Sequence, residues 1–97
     1  MLHTINQSPF RSNTLTTCLR FILPEDPVLF LEDGVYALDE RGRFKEVVQN
    51  LLKTNPVYGL EPDLKARGIG QLVRNVQQID YEGFVDLVEK HPVNTWL

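Results

Sequence analysis

The alternation of short apolar segments with amphipathic helical segments is the feature of this sequence that most restricts its fold. Strand-like segments at 2–6, 28–31, 57–60 and 76–79 are each followed by a segment with helical features. Four strand–helix units in succession imply right-handed crossovers and a mostly parallel sheet with helices on both faces. The sequence therefore predicts an α/β fold with about four strands, formed as a single domain over residues 1–97.

The helices are predicted from the spacing of their apolar residues. Apolar side chains recur at helical intervals over 15–22 and 44–52. Asp80 is expected to cap a last helix that Pro92 ends. The residues after Pro92 are interpreted as a short tail that carries Trp96. The inner face of the last helix is predicted to consist of Tyr81, Phe84, Leu87 and Val88.

Charge and hydropathy exclude several classes of protein. The formal net charge is −3, and the basic residues are interleaved with acidic ones rather than clustered. Without a basic cluster to displace counterions from a phosphate backbone, the chain is not expected to bind nucleic acid directly. The longest apolar stretch, 28–31, is too short to cross a bilayer, and the first residues lack the features of a signal peptide. We therefore expect no membrane association and a cytoplasmic location.

No cofactor-binding or metal-binding motif is present in the sequence. The loop at 7–13, after the first predicted strand, has no glycine, whereas dinucleotide binding requires a glycine-rich turn there. His3 and His91 lie at opposite ends of the chain without further ligands at suitable spacing. Cys18 is the only cysteine, which excludes an intrachain disulfide. We expect no cofactor and no metal.

Cys18 is the only residue with obvious nucleophilic chemistry. A single thiolate can carry a sulfane sulfur as a persulfide, and the nearby positive charges of Arg11 and Arg20 would favour the thiolate. The alternative is a packing role, because Cys18 lies on the apolar face of its helix and unpaired cysteine is among the most buried residue types. Cys18 is therefore both the candidate catalytic residue, as a sulfur acceptor, and a candidate core residue.

Trp96 is the second candidate site residue. It lies one residue before the end of the sequence. Tryptophan is enriched both at the centres of protein interfaces and in protein cores. Its side chain is expected either to pack the tail against the domain or to contact a partner subunit.

Several short motifs spread over the whole chain occur together in one known family. They are Met1–Ile5 with Ser8-Pro9, the segments 32–38, 57–60, 63–64, 66–68, 79–81 and 84–85, and His91-Pro92 with Trp96. In this combination and order they resemble the TusB/DsrH family of sulfur-relay subunits. The resemblance implies a small Rossmann-like α/β domain that works inside a larger assembly. It also implies two homologous partners, a TusC/DsrF-like and a TusD/DsrE-like subunit, in a dimer of heterotrimers.

The family has two branches. One passes persulfide sulfur toward 2-thiolation of the tRNA wobble uridine, and the other serves dissimilatory sulfur oxidation. The principal acceptor cysteine belongs to the TusD/DsrE-like subunit, so the resemblance implies a non-catalytic or accessory subunit of a sulfurtransferase complex. We expect the tRNA branch because it is the more general role. The alternative is a DsrH-type subunit with Cys18 as an accessory carrier, since 16–20 is similar to the cysteine-bearing helix of DsrH-type members.

Overall fold

The fold is built on a five-stranded sheet in which every neighbouring pair of strands is parallel. The computed structural model describes residues 1–97. The strands are β1 Leu2–Ile5, β2 Val28–Phe30, β3 Val57–Leu60, β4 Gln77–Ile79 and β5 Val93–Trp96. Their order across the sheet is β4-β3-β2-β1-β5. The predicted α/β fold class is confirmed.

Four α-helices and one 3₁₀ helix connect the strands. The α-helices are α1 Thr14–Phe21, α2 Lys45–Leu52, α3 Glu61–Ala66 and α4 Tyr81–Lys90, and the 3₁₀ helix is Glu32–Leu38. None of them combines the length and the apolar character needed to cross a membrane.

The two faces of the sheet are covered unequally. The chain moves from β1 through β4 in one direction, and right-handed crossovers therefore place α1, α2 and α3 on the same face. The main core lies under these helices, and the central strand β2 is fully buried. The return from β4 to β5 runs in the opposite direction and places α4 on the other face, which it covers alone.

The segment after Pro92 is a strand rather than the tail that we expected. Residues of β5 align with those of β1, from Leu2 opposite Val93 to Ile5 opposite Trp96. The sheet thus has five strands instead of about four. A strand of four residues whose partner is at the other end of the chain carries no local periodicity strong enough to distinguish it from a loop.

The predicted inner face of α4 is correct only in part. Phe84 and Leu87 are half-buried, whereas Tyr81 and Val88 are exposed, and no residue of α4 is fully buried. Since α4 is the single helix on its face of the sheet, one flank of its apolar surface has no neighbouring helix to pack against.

Candidate functional site

Cys18 lies in the interior of the domain. Its side chain is 0% exposed and belongs to the same core cluster as Leu15, Val28 and Phe30. Burial, with a smaller contribution from the negative charge of Asp26, raises the pKa of the Cys18 thiol to about 12. At neutral pH the sulfur atom is therefore a protonated thiol among apolar side chains.

The charges around Cys18 oppose formation of a thiolate. Arg11 and Arg20, which are close to it in sequence, are both exposed. The charged group that contributes to the raised pKa of the thiol is the carboxylate of Asp26. Because the thiolate is the nucleophilic form of cysteine, this environment favours the packing role. Sulfur acceptance by Cys18 stays a prediction.

Trp96 is joined to His3 and Asp26 by hydrogen bonds. The indole Nε1–H donates to Nδ1 of His3 over 3.0 Å. The indole nitrogen is only a donor, so Nδ1 must accept, and the ring proton of neutral His3 is on Nε2. Nε2 lies 3.0 Å from Oδ2 of Asp26 and donates to it. The arrangement fixes both the tautomer and the orientation of a histidine ring that is almost completely buried.

Trp96 also packs against its own chain. It contacts the main core cluster, and its ring stacks on that of Phe21 with a centroid distance of 6.1 Å and an interplanar angle of 25°. These contacts fasten β5 to α1, as expected of a residue that packs the end of the chain against the domain. The side chain remains partly exposed, and contact with a partner subunit stays a prediction.

Asp26 is the centre of this network. Besides His3, its carboxylate accepts hydrogen bonds from the N-terminal ammonium of Met1 at 3.2 Å and from the backbone N–H of Leu23 at 3.1 Å. Burial acts to raise the pKa of Asp26, but the hydrogen bonds from His3, Leu23 and the ammonium group lower it below its ordinary value. Asp26 lies at the end of the turn 23–26, just before β2. Asn55 holds this turn in place, because its side-chain amide donates to the carbonyl oxygens of Leu23 and Asp26.

Asp26 has no local sequence pattern that marks it as part of this network. The signal lies in the register of the sheet, because His3 pairs with Val28, two residues after Asp26. Once β1 and β2 are placed side by side, the residues before β2 must lie near His3.

The carboxyl edge of the sheet, where parallel α/β proteins bind ligands, holds a second group of polar residues. Arg67 donates from Nε to Oδ1 of Asp33 over 2.9 Å, and its NH1 nitrogen lies 3.7 Å from Oδ1 of Asp63. Asp63 in turn accepts the backbone N–H of Glu32. These interactions join the 3₁₀ helix to α3. Asp33 and Asp63 therefore have structural partners.

A shallow depression opens at the same edge. It is lined by Ser8, Phe10, Arg11, Asp33 and Tyr36. The residues combine one cation, one anion already paired with an arginine, and two aromatic rings. Its hydroxyl groups belong to Ser8 and Tyr36, and Oγ of Ser8 accepts the backbone N–H of Phe10 over 3.2 Å.

Two further residues at this edge have structural roles. Asp80 caps α4 as expected, with Oδ1 accepting the backbone N–H of Gly83 over 2.9 Å. Gly34 lies so close to the end of β1 that a Cβ atom there would overlap the carbonyl oxygen of Ile5. No group of three metal-ligating side chains occurs in the structure.

Comparison with known proteins identifies the family. Residues 7–94 match the family described as DsrH like protein. The TusB protein of Escherichia coli strain K12 is 40% identical over 93 residues, which covers 95% of each chain. The TusB protein of Shigella flexneri is 39% identical over 92 residues and covers 94% of each. This chain belongs to the TusB/DsrH family. The resemblance seen in the sequence is thereby confirmed.

Solved structures show how far the fold extends beyond this family. The ychN protein of Escherichia coli has a TM-score of 0.76 at 16% identity and covers 98% of this chain and 97% of its own. A protein of unknown function from Methanobacterium thermoautotrophicum has a TM-score of 0.73, also at 16% identity, with 97% and 95% covered. At such identities the likeness establishes the shared fold. The TusB/DsrH family therefore uses an architecture that sequences of low similarity also adopt.

Proposed function

We propose that this chain is a structural subunit of a cytoplasmic TusBCD/DsrEFH-like sulfur-relay complex. In that complex it supports transfer of persulfide sulfur for 2-thiolation of the tRNA wobble uridine. Its partners are TusC/DsrF-like and TusD/DsrE-like subunits, arranged as a dimer of heterotrimers. Family membership supports the sulfur-relay assignment, and the names of the relatives support the tRNA branch.

The burial of Cys18 carries the structural part of this proposal. A sulfur carrier must present a thiolate to a donor and a persulfide to an acceptor, and both steps require access to the sulfur. Here the sulfur is 0% exposed and the pKa of the thiol is raised to about 12. The polar residues at the carboxyl edge bind one another instead of forming a nucleophile–base pair. The chain therefore contributes surfaces, and the reacting cysteine is supplied by a partner subunit.

The second candidate function is an accessory sulfur carrier in a DsrH-type subunit of dissimilatory sulfur oxidation. It is favoured by the description of the matching family and by the position of Cys18 in a helix similar to that of DsrH-type members. This function requires that assembly or a donor protein move α1 enough to expose the thiol.

Sulfur transfer by the reconstituted complex tests the proposal. The chain is combined with the two partner subunits, and transfer from a sulfane-sulfur donor to the final acceptor is compared for wild type and Cys18→Ala. Alanine is preferred to serine, because a hydroxyl group without a partner in this apolar site would cost about 1–3 kcal/mol and confuse folding with chemistry.

If this chain is a structural subunit, the wild-type complex and the Cys18→Ala complex transfer sulfur at equal rates. A rate about tenfold lower for Cys18→Ala, with the assembly intact by light scattering, would instead identify Cys18 as a carrier and overturn the structural proposal. Failure of the wild-type chain to assemble with either partner would contradict membership of the complex itself.

A further inference from the structure

The exposed flank of α4 carries a row of apolar side chains. Tyr81, Val85 and Val88 are 59%, 50% and 41% exposed, respectively. They follow one another at intervals of four and three residues and so share one face of the helix. The row lies beside the half-buried Phe84 and Leu87 and extends the apolar surface of α4 into solvent.

A row of acidic side chains runs alongside. Glu82, Asp86 and Glu89 have the same spacing, are all exposed, and belong to none of the ion pairs of the structure. The two rows meet at a shallow depression lined by Tyr81, Glu82, Val85 and Asp86. We refer to these six residues, the apolar row and the acidic row together, as the α4 docking face.

The helical segment that carries the α4 docking face also holds the excess negative charge of the protein. Residues 80–90 contain four acidic side chains and one basic one, which gives a formal charge of −3. This equals the net charge of the whole chain, so acidic and basic side chains are equal in number in the rest of the sequence. An unpaired acidic row beside an exposed apolar row is the pattern of a surface whose complement has not been supplied within the chain.

We infer that the α4 docking face binds a different protein chain, through an apolar patch on that partner bordered by lysine and arginine side chains. Burial of the apolar row provides the driving force, and the basic border compensates the acidic row and orients the partner. The inference rests on the proposed function only in naming that partner as one of the two other subunits of the relay complex.

Charge disfavours the other occupants. A second copy would bring the −3 of one α4 segment against the −3 of another. The densest group of basic residues elsewhere is Arg41, Arg43 and Lys45, and it offers little free charge because Arg41 is paired with Asp39 and Lys45 with Glu40. Nucleic acid and anionic membranes would meet the same repulsion.

Binding of the partner subunits to variants of the α4 docking face tests the inference. Asp86→Lys reverses one charge of the acidic row, and Val85→Lys interrupts the apolar row. The matched controls are Glu46→Lys, at an exposed acidic residue of α2 outside any ion pair, and Leu23→Lys, at a side chain that is 67% exposed. All four changes are at exposed positions, and thermal unfolding by circular dichroism verifies that each variant is folded.

Each variant of the docking face is expected to raise the dissociation constant for the complex by about tenfold or more, while the controls stay within about twofold. The wild-type dissociation constant is expected to rise with salt concentration, and that of Asp86→Lys to rise less. If the complex forms and all four variants bind like wild type, the inference is overturned and the proposed function stands.

Two other results also decide. If the wild-type chain binds neither subunit, both the inference and the proposed function fail. If sedimentation shows that the chain alone self-associates and that Val85→Lys and Asp86→Lys abolish this, the occupant is a second copy and the inference is wrong.

Discussion

The hydrogen bond from Trp96 to His3 provides a quantitative test of how β5 is held. Trp96→Phe keeps an aromatic ring against Phe21 but removes the donor, which leaves Nδ1 of a histidine that is 4% exposed without a partner. Leaving a buried acceptor unsatisfied costs about 1–3 kcal/mol, more than the net value of an ordinary hydrogen bond. We therefore expect the free energy of unfolding to fall by that amount.

The measurement is urea unfolding followed by far-UV circular dichroism, since Trp96 is the only tryptophan and its fluorescence disappears in the variant. In a chain of this size a loss of 1 kcal/mol corresponds to about 4–8 °C in Tm. A double-mutant cycle with His3→Leu separates the hydrogen bond from the loss of ring area, and we expect a coupling energy of about 1 kcal/mol. A free energy of unfolding for Trp96→Phe within about 0.3 kcal/mol of wild type would show that the hydrogen bond to His3 contributes nothing to the stability of β5.

Three further predictions concern stability. Gly34→Ala should destabilise the protein by about 3 kcal/mol or more, because the new Cβ overlaps the carbonyl oxygen of Ile5. Gly70→Ala is the control and should be nearly neutral, because its Cβ meets no atom within 4 Å. Equal urea midpoints for the two variants would contradict this prediction. Asp80→Ala should cost about 1 kcal/mol through loss of the cap of α4, and an unchanged Tm would argue against the cap. The lowered pKa of Asp26 means that its contribution is complete above the pKa of the unfolded state and is lost as the pH falls through the lower pKa of the folded state. Asp26→Asn should therefore flatten the acid limb of the pH–stability curve, and an acid limb identical to wild type would show that Asp26 is not the group responsible.

Local pattern was sufficient for most of the fold. The apolar run at β2 predicts a strand buried on both faces, and Val28, Leu29 and Phe30 are each 0% exposed. The spacing of apolar residues over 44–52 predicts α2, and Asp80 predicts the start of α4. In each case the residues that determine the element lie within the element or next to it.

What the sequence did not predict depends on contacts between distant parts of the chain. β5 exists because it pairs with β1 at the other end of the sequence. The network around Asp26 requires the register between β1 and β2. The exposure of Tyr81 and Val88 follows from the strand order, which leaves α4 alone on its face. None of these relationships has a local sequence signature.

The same limit applies to Cys18. Its position on the apolar face of α1 was predicted from spacing, and the structure confirms that this face is buried. The sequence neighbours Arg11 and Arg20 indicate a positive environment for the thiol. In the folded chain the charge that affects the pKa of Cys18 is instead the negative charge of Asp26.

Intact-mass spectrometry of the assembled complex, after exposure to a sulfane-sulfur donor, decides whether this chain is a structural subunit with a buried cysteine. We predict that the TusD/DsrE-like partner gains sulfur while the mass of this chain is unchanged. A gain of one sulfur atom on this chain, reversed by dithiothreitol and absent in Cys18→Ala, would contradict it and establish Cys18 as a carrier.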